Sequence, residues 1–182
     1  MKKTTRFLAL FLAVLMVLGI FASAVMAAEI DTEVIDEKWG KPTFAYGAAL
    51  DEASIEETMK KLGIKNRDNV NFVKVDAKDL KKYLGGDTTD ANMISSILVK
   101  KENKGHGVEV IIETPENISQ VKDVQYANAA ITAGVSDAVI MVAAYKPVTG
   151  EAALTGVYKA FEANGEALEE DRIEVANEEL ET

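Results

Sequence analysis

The sequence predicts an α/β fold in which helices pack on one mixed β-sheet. Three observations point there. Short β-rich runs and segments of helical period alternate as β-α-β-α-β-β-α-β-α. One run, Ala138 to Ala144, is apolar throughout, as a strand covered on both faces requires. The chain has 182 residues and no cysteine, enough length to bury one core without disulfides.

Order begins at Thr43. Thr43 to Leu50 (TFAYGAAL) alternates like a strand around Phe44 and Tyr46. Asp51 stands where a helix N-cap would, ahead of the Ile55, Met59, Leu62 face, and Gly63 ends that helix. Val70 to Val75 is a second strand. Asp76 opens a short helix whose Leu80, Tyr83 and Leu84 share a face until Gly85 and Gly86 break it.

Met93 to Lys101 and Gly107 to Thr114 are β-rich runs joined by a Gly-containing loop, the pattern of a hairpin. In the second run Val108, Val110 and Ile112 face one way and Glu109, Ile111 and Glu113 the other, which suits a strand near a sheet edge. Thr114-Pro115 resembles a capped helix start. From Ser119 to Gly134 an Ala-rich stretch carries Val121, Val124, Ala127 and Ile131 at helical spacing, predicting the longest, central helix. Ala138 to Ala144 is expected at the centre of the sheet. Thr149 is placed to cap a last helix with Leu154, Val157, Tyr158 and Phe161 on its face and Gly156 allowing close approach, and Asn164-Gly165 stops it.

The residues ahead of this unit read differently. Lys2, Lys3 and Arg6 precede an unbroken apolar run from Phe7 to Phe21, followed by small residues up to Glu29, the three-part layout of a secretory signal. Fifteen apolar residues fall short of the roughly 20 that a spanning helix needs. Cleavage is expected after Ala27, with Ala28 the neighbouring alternative. The organisation is then a signal peptide (1–27), a polar lead-in (28–42), an α/β domain (43–165) and an acidic tail (166–182). Ile173, Ala176 and Leu180 repeat in that tail at helical spacing, so it either docks as an amphipathic helix or extends into solvent.

Losing Lys2, Lys3 and Arg6 takes the net charge from −10 to −13. So negative a surface repels nucleic acid and anionic lipid. No apolar run of spanning length comes after the signal, so no membrane insertion is expected after cleavage.

Three stretches carry a resemblance. They are YGAALDEASIEETMKKLG (46–63), TPENISQVKDVQYANAAITAG (114–134) and DAVIMVAAYKPVTGEAALTGVYKAF (137–161). Together they are similar to the exported YpuA-like proteins of Gram-positive bacteria, the domain of unknown function 1002 family. The first helix departs from the family's pattern by reading Asp51-Glu52-Ala53-Ser54 without an early Gln. The resemblance implies an exported Gram-positive protein and brings no activity, catalytic residue or ligand with it.

The chemistry has to come from the residues. His106, the single histidine, sits between two glycines in a loop and reads as an exposed turn residue. One histidine and no cysteine leave the usual zinc ligands missing, so no cofactor is expected. Calcium is the one metal the loop from Gly85 to Asp90 could attract, through Asp87 and Asp90. It lacks the spacing of a twelve-residue calcium loop, and a turn in which Asp90 serves as an N-cap is the plainer reading.

Two polar groupings stand out as binding candidates. Asn128 and Thr132 are four apart on the Ala-rich helix and read as a buried polar pair bonded to a neighbouring loop. Thr149, Gly150 and Thr155 lie at the helix start that comes after the apolar strand, where ligands of open α/β sheets collect. The expectation is an exported, non-catalytic envelope module that binds a wall polymer, a cation or a protein partner. The alternative is an envelope hydrolase working with paired carboxylates or an acquired metal.

Overall fold

A computed structural model of the chain describes residues 39–168 and Ile173. The expected signal, with Ala27 and Ala28, and most of the acidic tail lie outside the described residues. The elements keep the predicted order: β1 (Thr43–Gly47), α1 (Glu52–Lys61), β2 (Asn71–Val75), α2 (Ala77–Leu84), β3 (Ser96–Lys101), β4 (Val108–Ile112), α3 (Asp123–Thr132), β5 (Ala138–Ala143) and α4 (Glu151–Ala163). The five strands form one mixed sheet in the order β2-β1-β3-β5-β4. Strand β3 runs antiparallel to both its neighbours, while β1 pairs with β2 and β4 with β5 in parallel. Four strands therefore end at the same edge of the sheet, where β3 begins.

Two apolar layers hold the sheet. Ile55, Met59 and Leu62 of the α1 segment pack with Phe44, Leu98 and Met141 on one face. On the other, Leu80, Tyr126, Leu154, Val157 and Phe161 from the remaining helices cover Ala45, Ile97, Val99 and Ile140. Complete burial of one such large apolar side chain contributes about 1.5–3 kcal/mol. Helix α4 lies closest to the sheet because Gly156 has no side chain: a Cβ there would stand 3.3 Å from Ala45 Cβ and 3.4 Å from Ile97 Cγ1. The caps of α1 and α2 are as the sequence reads. Asp51 accepts from Ser54 N at 2.9 Å, and Asp76 and Asp79 form a reciprocal capping box.

The predicted hairpin does not form. Strand β5 lies between β3 and β4, so the loop joining those two bends around the start of β5 instead of closing a turn. Asp137 makes that possible, its Oδ1 accepting from Gly105 N at 2.8 Å and Gly107 N at 3.0 Å. Those bonds hold its carboxyl below the usual carboxylate range, the Gly107 N–H contributing most. A strand as apolar as β5 needs neighbours on both edges, and this insertion supplies them. The centre of the sheet is nonetheless β3, not β5. Burial on both faces is common to every interior strand, so it does not mark the middle one.

The Ala-rich segment differs most from expectation. Pro115–Asn117 is an isolated 3-10 turn, and α3 starts only at Asp123, so the longest helix among the described residues is α4 with 13 residues. The face expected to be buried is rotated outward, leaving Val124 55% and Ile131 53% exposed. Tyr126, Ala129, Ala130 and Ala133 are buried in its place. The small alanine side chains let α3 lie against β4 and α4, while the Tyr126 hydroxyl reaches Gly150 O at 3.2 Å. Trp39, read from sequence as lead-in, belongs to the core. It meets Phe161 edge to face at 5.1 Å and donates to Glu166 Oε1 at 2.9 Å. Ile173, in the tail, is also buried in this layer.

Candidate functional site

At the edge where the four parallel strands end, a cleft of about 400 Å³ opens between the start of α4 and the segment leading into β3. Leu80, Met93, Ile94, Pro147, Val148 and Ala152 give it an apolar floor and sides, and Thr88, Asn92, Thr149 and Glu151 supply the polar groups. Glu151 is the carboxylate among these lining residues. Clefts in open α/β sheets favour this edge because strand ends and helix starts leave main-chain groups pointing outward.

Each wall is braced from behind. Gln120 N and Val121 N both donate to Thr149 O at 3.1 Å, and Val148 N donates to Asn117 O at 2.9 Å. Thr114 Oγ1 accepts from Ala144 N and Asn117 Nδ2 donates to Ala144 O, each at 2.9 Å, which secures the chain just beyond β5. On the opposite wall Ala49 N donates to Met93 O at 2.9 Å, and a Cβ on Gly47 would stand only 2.1 Å from that oxygen. Asn92 Nδ2 donates to Thr88 Oγ1 at 3.2 Å across the rim.

Thr149 lines the cleft but is not the N-cap of α4. That position belongs to Gly150, at φ +107, a conformation that favours glycine. A Cβ there would also stand 2.7 Å from the Tyr126 hydroxyl. Thr149 Oγ1 donates to the Glu151 carboxylate at 3.0 Å and accepts from Glu151 N at 3.4 Å. The first turn of α4 is capped from another part of the chain: buried Ser95 Oγ accepts from Ala153 N at 2.9 Å. Thr155 is wholly buried, its hydroxyl donating to Glu151 O at 2.8 Å within the helix, so it faces no ligand space.

The other candidates are dispersed. Asn128 is exposed on α3, and Thr132 is half-buried against the Tyr158 hydroxyl, so the two do not form a buried pair. The rotation of α3 that exposes Val124 carries Asn128 outward with it. Asp87 is paired with Lys81 at 2.9 Å, and Asp90 accepts from Ala77 N at 2.9 Å rather than capping the turn it begins. No group of three or more metal-binding side chains occurs among the described residues. His106 is exposed in its loop, Nδ1 lying 3.1 Å from Gly107 O.

A family model described as "Protein of unknown function (DUF1002)" matches residues 46–182. The chain belongs to this family. It is also 37% identical over 171 residues to the "Uncharacterized protein YpuA" of Bacillus subtilis (strain 168). That match covers 91% of the chain but 57% of the relative, so the chain spans little more than half the relative's length. No solved structure matches. Family membership agrees with the resemblance carried by the three sequence stretches, all of which lie inside the matched region.

Sequence reasoning located one wall of the cleft, at Thr149, and missed the other. Thr88 and Asn92 sit in a segment whose only sequence signal is turn chemistry, and the sequence reads Met93 and Ile94 as the start of a β-rich run, whereas β3 begins only at Ser96. Their approach to Pro147–Thr149 depends on β3 pairing with β5, a long-range pairing that no local signal announces.

Proposed function

We propose that this chain is an exported, non-catalytic module of the bacterial envelope that binds a wall polymer in the cleft at the carboxyl edge of its sheet. The cleft carries the reading: hydroxyl, amide and carboxylate groups project from an apolar floor, which suits a neutral or cationic ligand rich in hydroxyls and amides. A net charge of −10 disfavours nucleic acid and anionic lipid as partners. Among the described residues, no helix is long and apolar enough to cross a membrane.

Several acids outside the cleft have structural occupations. Asp51 and Asp76 cap helices, Asp137 clamps a loop, Asp79 pairs with Lys159, and Glu162 accepts from Lys82 and the Tyr83 hydroxyl. These arrangements account for the lowered pKa values of Asp51, Asp76 and Glu162. The dominant contacts are the Ser54 hydroxyl, the Asp79 N–H and the Lys82 ammonium, respectively.

Co-sedimentation of the secreted protein with purified cell wall, then assay for soluble fragments, tests the reading. Binding without release, weakened by Thr149→Ala combined with Glu151→Gln, is the expected result. Release of fragments would establish the hydrolase instead, and no sedimentation would overturn the wall reading in favour of a protein partner. A thermal melt with and without millimolar calcium separates a cation-dependent module, which would gain stability, from one that binds without metal.

A further inference from the structure

The sheet ends in β2 on one side and in β4 on the other. Ala138 N donates to Gly107 O at 3.0 Å and Glu113 N to Val142 O at 2.8 Å, so the odd-numbered residues of this strand bond to β5. The main-chain groups of Val108, Val110 and Ile112 therefore point out of the sheet, and no strand among the described residues pairs with them. Their side chains are only half-buried, whereas Ile97, Val99, Ile140 and Val142 inside the sheet are wholly buried. Strand β2 is the poorer edge. Asn71 N bonds to Pro42 O and Ala48 N to Val75 O, which leaves only Phe72 and Lys74 turned outward, and the exposed Lys74 blunts that side.

Helix α3, which lies against β4, carries a second open feature. Thr132 meets the Tyr158 hydroxyl of α4, and Ile131, one residue earlier, is turned about 100° from it. Val124 stands seven residues before Ile131 on the same stripe, and both are more than half exposed. The stripe thus faces away from α4, and β4 is the last strand beneath it. The run from Val124 to Ser136 also holds no charged residue, in a chain of net charge −10. Two copies of so acidic a chain repel over most of their surface, and this stretch is where they do not.

We propose that two copies of this chain pair through their β4 strands, antiparallel, about a two-fold axis at Val110. In that register Val110 faces Val110 of the second copy, Val108 faces Ile112, and Glu109 faces Ile111. The outward residues exchange two main-chain bonds per pair, about six in all, and no like charges stand opposite. Paired strands lie about 4.8 Å apart, so the α3 helices above them become neighbours and their Val124–Ile131 stripes gain cover. A lone peptide strand would satisfy the edge and leave the stripe exposed; a second copy covers both, because a two-fold contact uses the same surface twice. The β4 strands run in opposite directions, so the two clefts open at opposite edges of the joined sheet.

Light scattering of the secreted protein at about 100 μM, above the micromolar end of specific interfaces, should give twice the mass of one chain. Val124→Glu combined with Ile131→Glu alters exposed positions only, so that variant should stay folded and give the mass of a single chain. A folded Val110→Pro should do the same, since it removes an outward N–H and no bond to β5. Hydrogen exchange reads the edge without any variant: the Val110 amide should be protected at high concentration and exchange freely on dilution. A single-chain mass for the unaltered protein at the high concentration would overturn the dimer. A dimer in which Val110 exchanges freely, or one that survives both glutamates on α3, would overturn this interface.

Discussion

Replacing Gly47 by alanine tests whether the cleft wall is held as the structure shows. The added Cβ would lie 2.1 Å from Met93 O, 2.4 Å from Met93 C and 2.6 Å from Ile94 N. All three are main-chain atoms, so no side-chain rotation relieves the overlap. Overpacking of this kind costs about 1–3 kcal/mol, and a clash with backbone belongs at the upper end. Displacing Met93 also loosens the bond from Ala49 N to Met93 O, a further loss of about 1 kcal/mol. The sum, about 3–4 kcal/mol, corresponds to a fall in melting temperature of roughly 12 °C for a domain of this size. Gly156→Ala is the matched control. Its Cβ meets only side-chain carbons at 3.3–3.6 Å, and the gain of about 1 kcal/mol in helix propensity opposes the crowding. Urea denaturation of the two variants checks the contrast. Loss of less than about 0.5 kcal/mol in Gly47→Ala, or equal losses in both variants, would refute the close approach of Gly47 to the Met93–Ile94 backbone.

Three other contacts have measurable consequences. A chain beginning at Thr43 should be about 3–5 kcal/mol less stable than one beginning at Glu37, because it lacks Trp39; equal stability would show that Trp39 is not part of the core. Ser95→Ala should cost about 1–2 kcal/mol by leaving Ala153 N without its cap, measurable as a shift in the urea midpoint. Glu113 has a folded pKa raised by burial, so the folded chain holds an extra proton between its ordinary value, 4.5, and the folded value. Its contribution is fully present below that ordinary value and is lost as pH rises through the folded pKa. The stability advantage of Glu113→Gln should therefore grow as pH rises from the ordinary glutamate range through the folded pKa, and a pH-independent difference would contradict burial of the carboxyl.

Local signals made the order of elements legible. Asp51 and Asp76 cap the helices they precede, glycines end both helices, and alternation in β4 separates Val108, Val110 and Ile112 from Ile111 as read. Helical spacing failed in α3 because Val124, Ala127 and Ile131 form one apolar stripe and Tyr126, Ala129 and Ala130 form another. A helix with two apolar stripes does not declare which one turns inward, and the fit of alanines against β4 and α4 settles it here. The cleft was legible on one side only. Thr149 stood out at a helix start, whereas Ser95, which caps that helix from 58 residues away, carried no local signal.

The sequence by itself determined the succession of strands and helices, the two-sided burial of Ala138–Ala143 and the family, because each rests on neighbouring residues or on a continuous stretch of chain. Only the tertiary structure decided that β5 enters between β3 and β4. A flexible loop allows several pairings at similar entropic cost, and the choice falls to burial of a strand that is apolar on both faces. That single insertion brings Ser96 and Glu113 to either side of Ala143 and sets Met93 and Ile94 opposite Pro147–Thr149. The cleft is therefore a property of the strand order.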